Sequence, residues 1–253
     1  MRLRGQGAVP ISSSTVLKRL RRAGVRARRP LKRLQLLQRH RIARMNWAAG
    51  HQWTVQQWRN VMFSDESRYR RFHADGRVRV YRRRGERFED DVIVETQAFG
   101  GGSVMVWAGV SLGGRTELIF VNGNLTSQRY VDEILRPYVL PYLGAIGENA
   151  IYQDDNARPH RGYTAMNFLE TNGVTHMEWP ALSPDLNPIE HLWDILERHV
   201  RPRITPACTL QELSYILTEE WNRIPQCTID RLIRSMRGRI NECLARQGGH
   251  THY

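Results

Sequence analysis

Asp65, Asp155 and Glu190 are the residues of this 253-residue chain best suited to do chemistry. Asp65 closes the apolar run Val61-Met62-Phe63-Ser64, and Asp155 follows Ile151-Tyr152-Gln153-Asp154, a short strand that delivers acids into a turn. Glu190 opens a segment whose Ile189, Leu192, Trp193 and Leu196 have the i, i+3, i+4, i+7 spacing of a buried helical face, with Pro188 at the first helical position. Between Asp155 and Glu190 lie 34 residues. Carboxylates at strand and helix ends suit hard divalent cations. Two such ions about 3.5–4 Å apart activate an attacking oxygen and stabilise the departing one in an in-line displacement at phosphorus. Taken singly, each acid reads at least as well as a helix or turn cap, so the order and spacing of all three carry the argument. Alternation along a strand sends Asp154 and Asp155 to opposite faces, so only one of them enters a site, and Asp65 and Glu66 share that ambiguity.

The elements that must position these acids read as α/β. A helix is expected over 34–49, and 53–58 leads into the first core strand. Further strand runs cover 68–73 and 77–82, split by the turn pair Asp75-Gly76. Residues 82–102 read as a long loop; its Gly100–Gly102 triplet lacks the Lys-Ser/Thr of a phosphate loop. Strands follow over 104–110 and 117–121, then a helix over 127–143 kinked near Pro137. The Asp155 strand, a helix over 163–172, a short strand over 176–179 and the Glu190 helix come next. Two amphipathic helices, 210–224 and 229–245, close the chain. This periodicity alone leaves a flavodoxin-like sheet open.

Charge divides the chain. Residues 1–50 hold 14 Lys and Arg and no Asp or Glu, while the remainder holds 24 against 25. A basic head on a neutral body implies a polyanionic partner. Ser12 to Ser14 offer N-caps for a helix carrying Val16, Leu17 and Leu20, with Lys18, Arg19, Arg21 and Arg22 on its exposed side. A basic amphipathic helix after a serine turn is what a helix-turn-helix lays in a major groove. Arg26, Arg28, Arg29, Lys32 and Arg33 continue it as a basic linker that also reads as a nuclear localisation patch. Cys208, Cys227 and Cys243 are too widely spaced for a disulfide framework or, with the nine histidines, a zinc site, and read as buried thiols. With no membrane-spanning apolar run and no signal peptide, the expectation is a soluble intracellular protein.

Phe63-Ser64-Asp65-Glu66-Ser67, Gln153 to His160, Ser183-Pro184-Asp185-Leu186-Asn187-Pro188-Ile189-Glu190, Gly100 to Trp107 and the closing Gly248-Gly249-His250-Thr251 resemble the signature blocks of Tc1-like transposases of the Tc1/mariner superfamily. The resemblance runs from Ile11 onward. It implies an RNase H-like fold, a mixed five-stranded sheet flanked by helices over 34–253, behind a helix-turn-helix remnant and linker over 1–33. It implies a clamp-type loop at 82–102, with the C-terminal helices over 209–246. By that likeness Asp65, Asp155 and Glu190 are the catalytic acids, holding two Mg²⁺ or Mn²⁺ ions. The family pattern sets the acid directly before Asn156, which selects Asp155 over Asp154. Glu66 is set aside in the same way. Asn156 and His160 read equally as groups that orient the acids or as turn residues. The implied reaction is DNA cleavage and strand transfer at terminal inverted repeats and TA targets, by a homodimer in the nucleus. Family members carry more helices ahead of the recognition helix, so impaired end recognition is expected. A catalytically silent DNA-binding derivative is the alternative.

Overall fold

Alternation along one strand sets the layers. β1 (Val61–Arg70) sends Val61, Phe63 and Tyr69 into one buried apolar cluster and Met62 into another on the opposite face. In the computed structural model, residues 11–25, 34–71, 102–205 and 208–253 are described. The Asp75-Gly76 hairpin, the 82–102 loop apart from Gly102, and Arg26, Arg28, Arg29, Lys32 and Arg33 lie outside them.

β1 pairs antiparallel with β2 (Ser103–Ser111) and parallel with β5 (Ile151–Gln153), which pairs parallel with β6 (Thr175–His176). β3 (Gly114–Arg115) and β4 (Ile119–Val121) both add to β2, so the mixed sheet runs β3-β2-β1-β5-β6 with β4 beside β2. Among the described residues the sheet holds six strands where five were expected. The run expected over 117–121 starts only at Ile119, and Thr116 ahead of it folds its hydroxyl back to accept from the Gly109 N–H at 2.9 Å, leaving the two-residue β3 as a separate strand. Residues 68–70 of the strand expected over 68–73 are the far end of β1 itself, and the 53–58 segment holds a single helical turn capped by Thr54.

One face of the sheet is covered by a continuous helix built from α4 (Ser127–Tyr130), a π-helical stretch (Val131–Val139) and α5 (Leu140–Ile146), with α6 (Tyr163–Thr171) beside it. The expected kink at Pro137 appears as this wider winding. Proline has no N–H to give an i−4 carbonyl, and π winding absorbs the fault. The other face carries α2 (Gln38–Gly50), α3 (Val55–Trp58), α7 (Ile189–Val200), α8 (Leu210–Arg223), α9 (Gln226–Arg234) and α10 (Met236–Ala245). The single helix expected over 229–245 is two, because the Ser235 hydroxyl donates to the Leu232 carbonyl at 2.6 Å and competes with the helical ladder. Cys208 and Cys243 are buried as expected, whereas Cys227 is exposed. Among the described residues no helix is long and apolar enough to cross a membrane.

The chain divides into two units, 1–35 and 36–253. In the first, α1 (Ser13–Arg22) is capped by Ser12, whose hydroxyl accepts from Thr15 N–H, and ends at Gly24 with φ +76°. None of its residues is buried. Lys18, Arg19, Arg21 and Arg22 are all exposed, and so are Leu17 and Leu20.

A buried ion pair holds the second unit's loop ahead of α7. Arg44 of α2, fully buried, donates to both carboxylate oxygens of Asp185 at 2.8 and 2.7 Å. Its remaining donors reach the carbonyls of Gly248 and Gly249, while Thr251 N–H closes on Asp185 Oδ2 at 2.8 Å. Gly248, at φ +73°, has no substitute, since a Cβ there would lie 1.9 Å from the Arg41 carbonyl oxygen. Leu182, ahead of Asp185, takes φ +55°, a left-handed conformation costly for a leucine, and its carbonyl faces Arg44. Removing one partner of such a pair strands a buried charge. Arg44→Ala is expected to cost about 3–5 kcal/mol of unfolding free energy, read by urea denaturation.

Candidate active site

Asp65 lies in the middle of β1, not at its end. It is, however, two residues beyond the point where the parallel pairing with β5 stops at Phe63–Gln153. β5 is only three residues long, so Asp154 and Asp155 follow it and emerge beside Asp65 at the carboxyl edge of the parallel strands. Asp65 shares the face of Phe63 and Tyr69, against α7. There Trp193 donates its indole N–H to Asp65 Oδ2 at 2.9 Å, and Tyr69 donates its hydroxyl to the Trp193 carbonyl at 3.4 Å. Sequence periodicity assigns Trp193 to the core stripe, and it is buried against Trp221. Nothing in the spacing reveals that its polar edge reaches an acid.

Glu190 stands in the first turn of α7, where the helix dipole favours a carboxylate. Pro188 precedes that helix as its N-cap, one position earlier than expected, and Asn187 ties the turn to β1 by donating to the Ser64 carbonyl at 3.3 Å. Asp65 and Glu190 both have raised proton affinity. Burial and then the Glu190 charge hold Asp65 well above the usual carboxylate range. Burial and the charges of Asp194 and Asp155 push Glu190 up to about 7.

Asp154 and Asp155 part as strand geometry requires. Asp154 is fully buried and accepts from Tyr130 Oη at 3.1 Å and His176 Nε2 at 2.8 Å. Asp155 keeps 46% of its side chain exposed. Its Oδ1 accepts from the Ala157 N–H and faces His160 Nδ1, each at 2.8 Å, and these contacts pull its pKa below the usual value despite burial. The other ring nitrogen, Nε2, faces Glu66 Oε1 at 3.1 Å. Glu66, which the sequence pattern sets aside, thus joins the site from the other face of β1. Asp155, His160 and Glu66 place one ligand atom each within 4.8 Å of one another, the one such group among the described residues. Asn156 bonds away from the acids: it donates to the Trp179 carbonyl at 2.7 Å and accepts from Arg161.

Two grooves flank this cluster. One of about 670 Å³ is lined by Glu66, Arg68, Met105, Asn124, Arg158 and His160, and the other of about 370 Å³ by Arg68, Arg70, Glu190, Trp193, Asp194 and Arg201. Arginines rim acids on both sides.

Residues 60–211 match the model of the DDE superfamily endonucleases, and residues 3–52 match a helix-turn-helix model described as transposase. The chain is 34% identical over 246 residues to the Transposable element Tcb2 transposase of Caenorhabditis briggsae, covering 96% of this chain and 88% of that one. To the Tc1 transposase of Caenorhabditis elegans it is 33% identical over 249 residues, with the same coverage. The chain belongs to the Tc1/mariner-type DDE transposases. Its fold is that of the Mos1 transposase in a paired-end complex with the left transposon end, with a TM-score of 0.74 at 19% identity over 95% of this chain and 72% of that one. The Mos1 catalytic domain alone superposes with a TM-score of 0.65 at 15% identity, over 88% of this chain and the whole of that domain. A transposase of this type is a DNA-cutting enzyme, and the acids above occupy its RNase H-like domain.

Because Glu190 of the folded transposase keeps its proton to about pH 7 against an ordinary 4.5, the folded state binds more protons than the unfolded one between those values. Metal-free protein is therefore expected to lose stability as pH rises through that window. Glu190→Gln should lose less, as read by urea midpoints of both proteins at pH 4.5 and pH 8.

Proposed function

We propose that Asp65, Asp155 and Glu190 hold two divalent ions, Mg²⁺ or Mn²⁺, and that the transposase uses them to cut DNA at its element's ends and join those ends to target DNA. The observation that carries this reading is the meeting of three acids from separate elements, Asp65 of β1, Asp155 just after β5 and Glu190 in the first turn of α7, close enough for the charges of Glu190 and Asp155 to raise Asp65. Buried acids held above the ordinary carboxylate range by burial and by neighbouring negative charge are stabilised by a bound cation. All-oxygen donors also fit Mg²⁺ or Mn²⁺ better than softer metals.

Bound there, the ions would activate the attacking oxygen, water for the first cut and a DNA 3′-hydroxyl for joining, and stabilise the departing 3′-oxygen. The protein's own groups hold the frame for that chemistry. Trp193 fixes Asp65 through one oxygen and leaves the other available. The Ala157 N–H and His160 both engage Oδ1 of Asp155, leaving Oδ2 clear of both. Arg68, Arg70, Arg158 and Arg201 at the groove rims offset the charge of a phosphate backbone laid across the acids. No side chain needs to form a covalent link to DNA.

The head supplies attachment. Lys18, Arg19, Arg21 and Arg22 contact phosphates and, with the basic run 26–33, direct the protein to terminal repeats in the nucleus. TA target choice and action as a homodimer belong to the same proposal and rest on membership of the family.

Purified protein is expected to nick supercoiled plasmid with Mg²⁺ or Mn²⁺, and Asp155→Asn and Glu190→Gln should each reduce nicking to background. Nicking that survives either substitution in folded protein would remove the acids from this role. Replacing Lys18, Arg19, Arg21 and Arg22 by alanine is expected to flatten the dependence of log affinity on log salt, by roughly 0.9 for each phosphate no longer neutralised, as measured by fluorescence anisotropy on duplex DNA.

A further inference from the structure

Glu66, which the family pattern passes over in favour of its neighbour, touches the site through a histidine. β1 carries Asp65 and Glu66 on opposite faces, so Asp65 meets Trp193 of α7 while Glu66 points towards the layer of α4 and α6. His160 fills the gap between Glu66 and Asp155. It is almost wholly buried, and its ring lies against Tyr130 with centroids 4.2 Å apart and planes 29° from parallel; Nε2 faces Glu66 Oε1 at 3.1 Å, and Nδ1 faces Asp155 Oδ1 at 2.8 Å with Asp154 Oδ2 farther off at 4.0 Å. The stacked tyrosine fixes the plane of the ring but allows a half-turn about Cβ–Cγ, which would put ring carbons where the nitrogens stand. Two hydrogen bonds, one at each nitrogen, remove that freedom.

We propose that Glu66 is a positioning residue for metal binding: it anchors His160 at Nε2 so that Nδ1 holds Asp155 Oδ1 and keeps Oδ2 directed at the ions. This inference rests on the assignment of Asp155 as a metal ligand. Glu66 touches neither ion nor DNA in this role. The groove of about 670 Å³ that it lines belongs to the side of β1 away from Glu190, so the anchor does not compete with Glu190 for an ion. Partners that orient a metal ligand from behind typically contribute 10–100-fold in metal affinity.

The test is Mn²⁺ binding to the full chain, followed by electron paramagnetic resonance of the free ion, for wild type, Glu66→Gln, His160→Gln, the double variant and Asp155→Asn. Thermal unfolding of each metal-free protein checks the fold. Glu66→Gln is expected to weaken Mn²⁺ binding by about tenfold or more, measured at a temperature below the onset of unfolding of every variant. The double variant is expected to bind no more weakly than His160→Gln alone, because Glu66 acts only through the histidine. Two additive losses would overturn the proposal and make Glu66 a direct ligand. Unchanged or tighter binding by Glu66→Gln would overturn it as well. Failure of the underlying assignment has a separate signature, which is Asp155→Asn binding Mn²⁺ as wild type does.

Discussion

The pairing of Arg44 with Asp185 is the contact on which the site's geometry hangs. Asp185 sits five residues before Glu190, in a turn that must bring the first turn of α7 up to the edge of β1. The turn contains a left-handed leucine and two prolines and has little regular hydrogen bonding of its own. A guanidinium buried on α2, bidentate to the carboxylate and capped by carbonyls from 248–249, supplies what the turn lacks. Arg239 of α10 adds a bond to the Asp185 backbone carbonyl at 2.7 Å, so two helices and the C-terminal segment converge on one aspartate. Desolvation makes such a pair costly to assemble and costlier to break, which suits a device that sets position more than one that adds net stability.

Within the site, charge is distributed by the pleat of one strand. Adjacent acids on β1 face opposite layers and take opposite roles: Asp65 repels Glu190 across the α7 side, while Glu66 lies in a neutralising contact with His160. The same alternation buries Asp154 among Tyr130 and His176 and leaves Asp155 half-exposed. Four acids within two short segments would be a severe electrostatic burden if they shared one face. Alternation divides them between two.

Much of this is legible in the sequence. The stripe Ile189, Leu192, Trp193 and Leu196 is buried as its spacing demands, and Ser12 caps α1. Strand alternation also foretells that Asp154 and Asp155 part. What escapes a sequence reading depends on long-range contact. Trp193 has an apolar body, and pattern reads the body; its N–H finds Asp65 only because β1 and α7 are packed together from 128 residues apart. Glu66 escapes because local alternation says a side chain faces elsewhere without saying what waits there. The π winding around Pro137, the break at Ser235 and the extra strand β3 arise from single polar groups competing with regular hydrogen bonding, too local for periodicity to register.

The Gly248–Thr251 segment gives the fold a temporal property. Thr251 closes on an aspartate 66 residues earlier in the chain, and Arg44 waits more than 200 residues for the carbonyls of Gly248 and Gly249. During synthesis the three acids leave the ribosome well before this knot can be tied. A nascent chain therefore carries Asp65, Asp155 and Glu190 before the contacts that lock the Asp185 turn can form. Those contacts become available only once residues 248–251 have emerged.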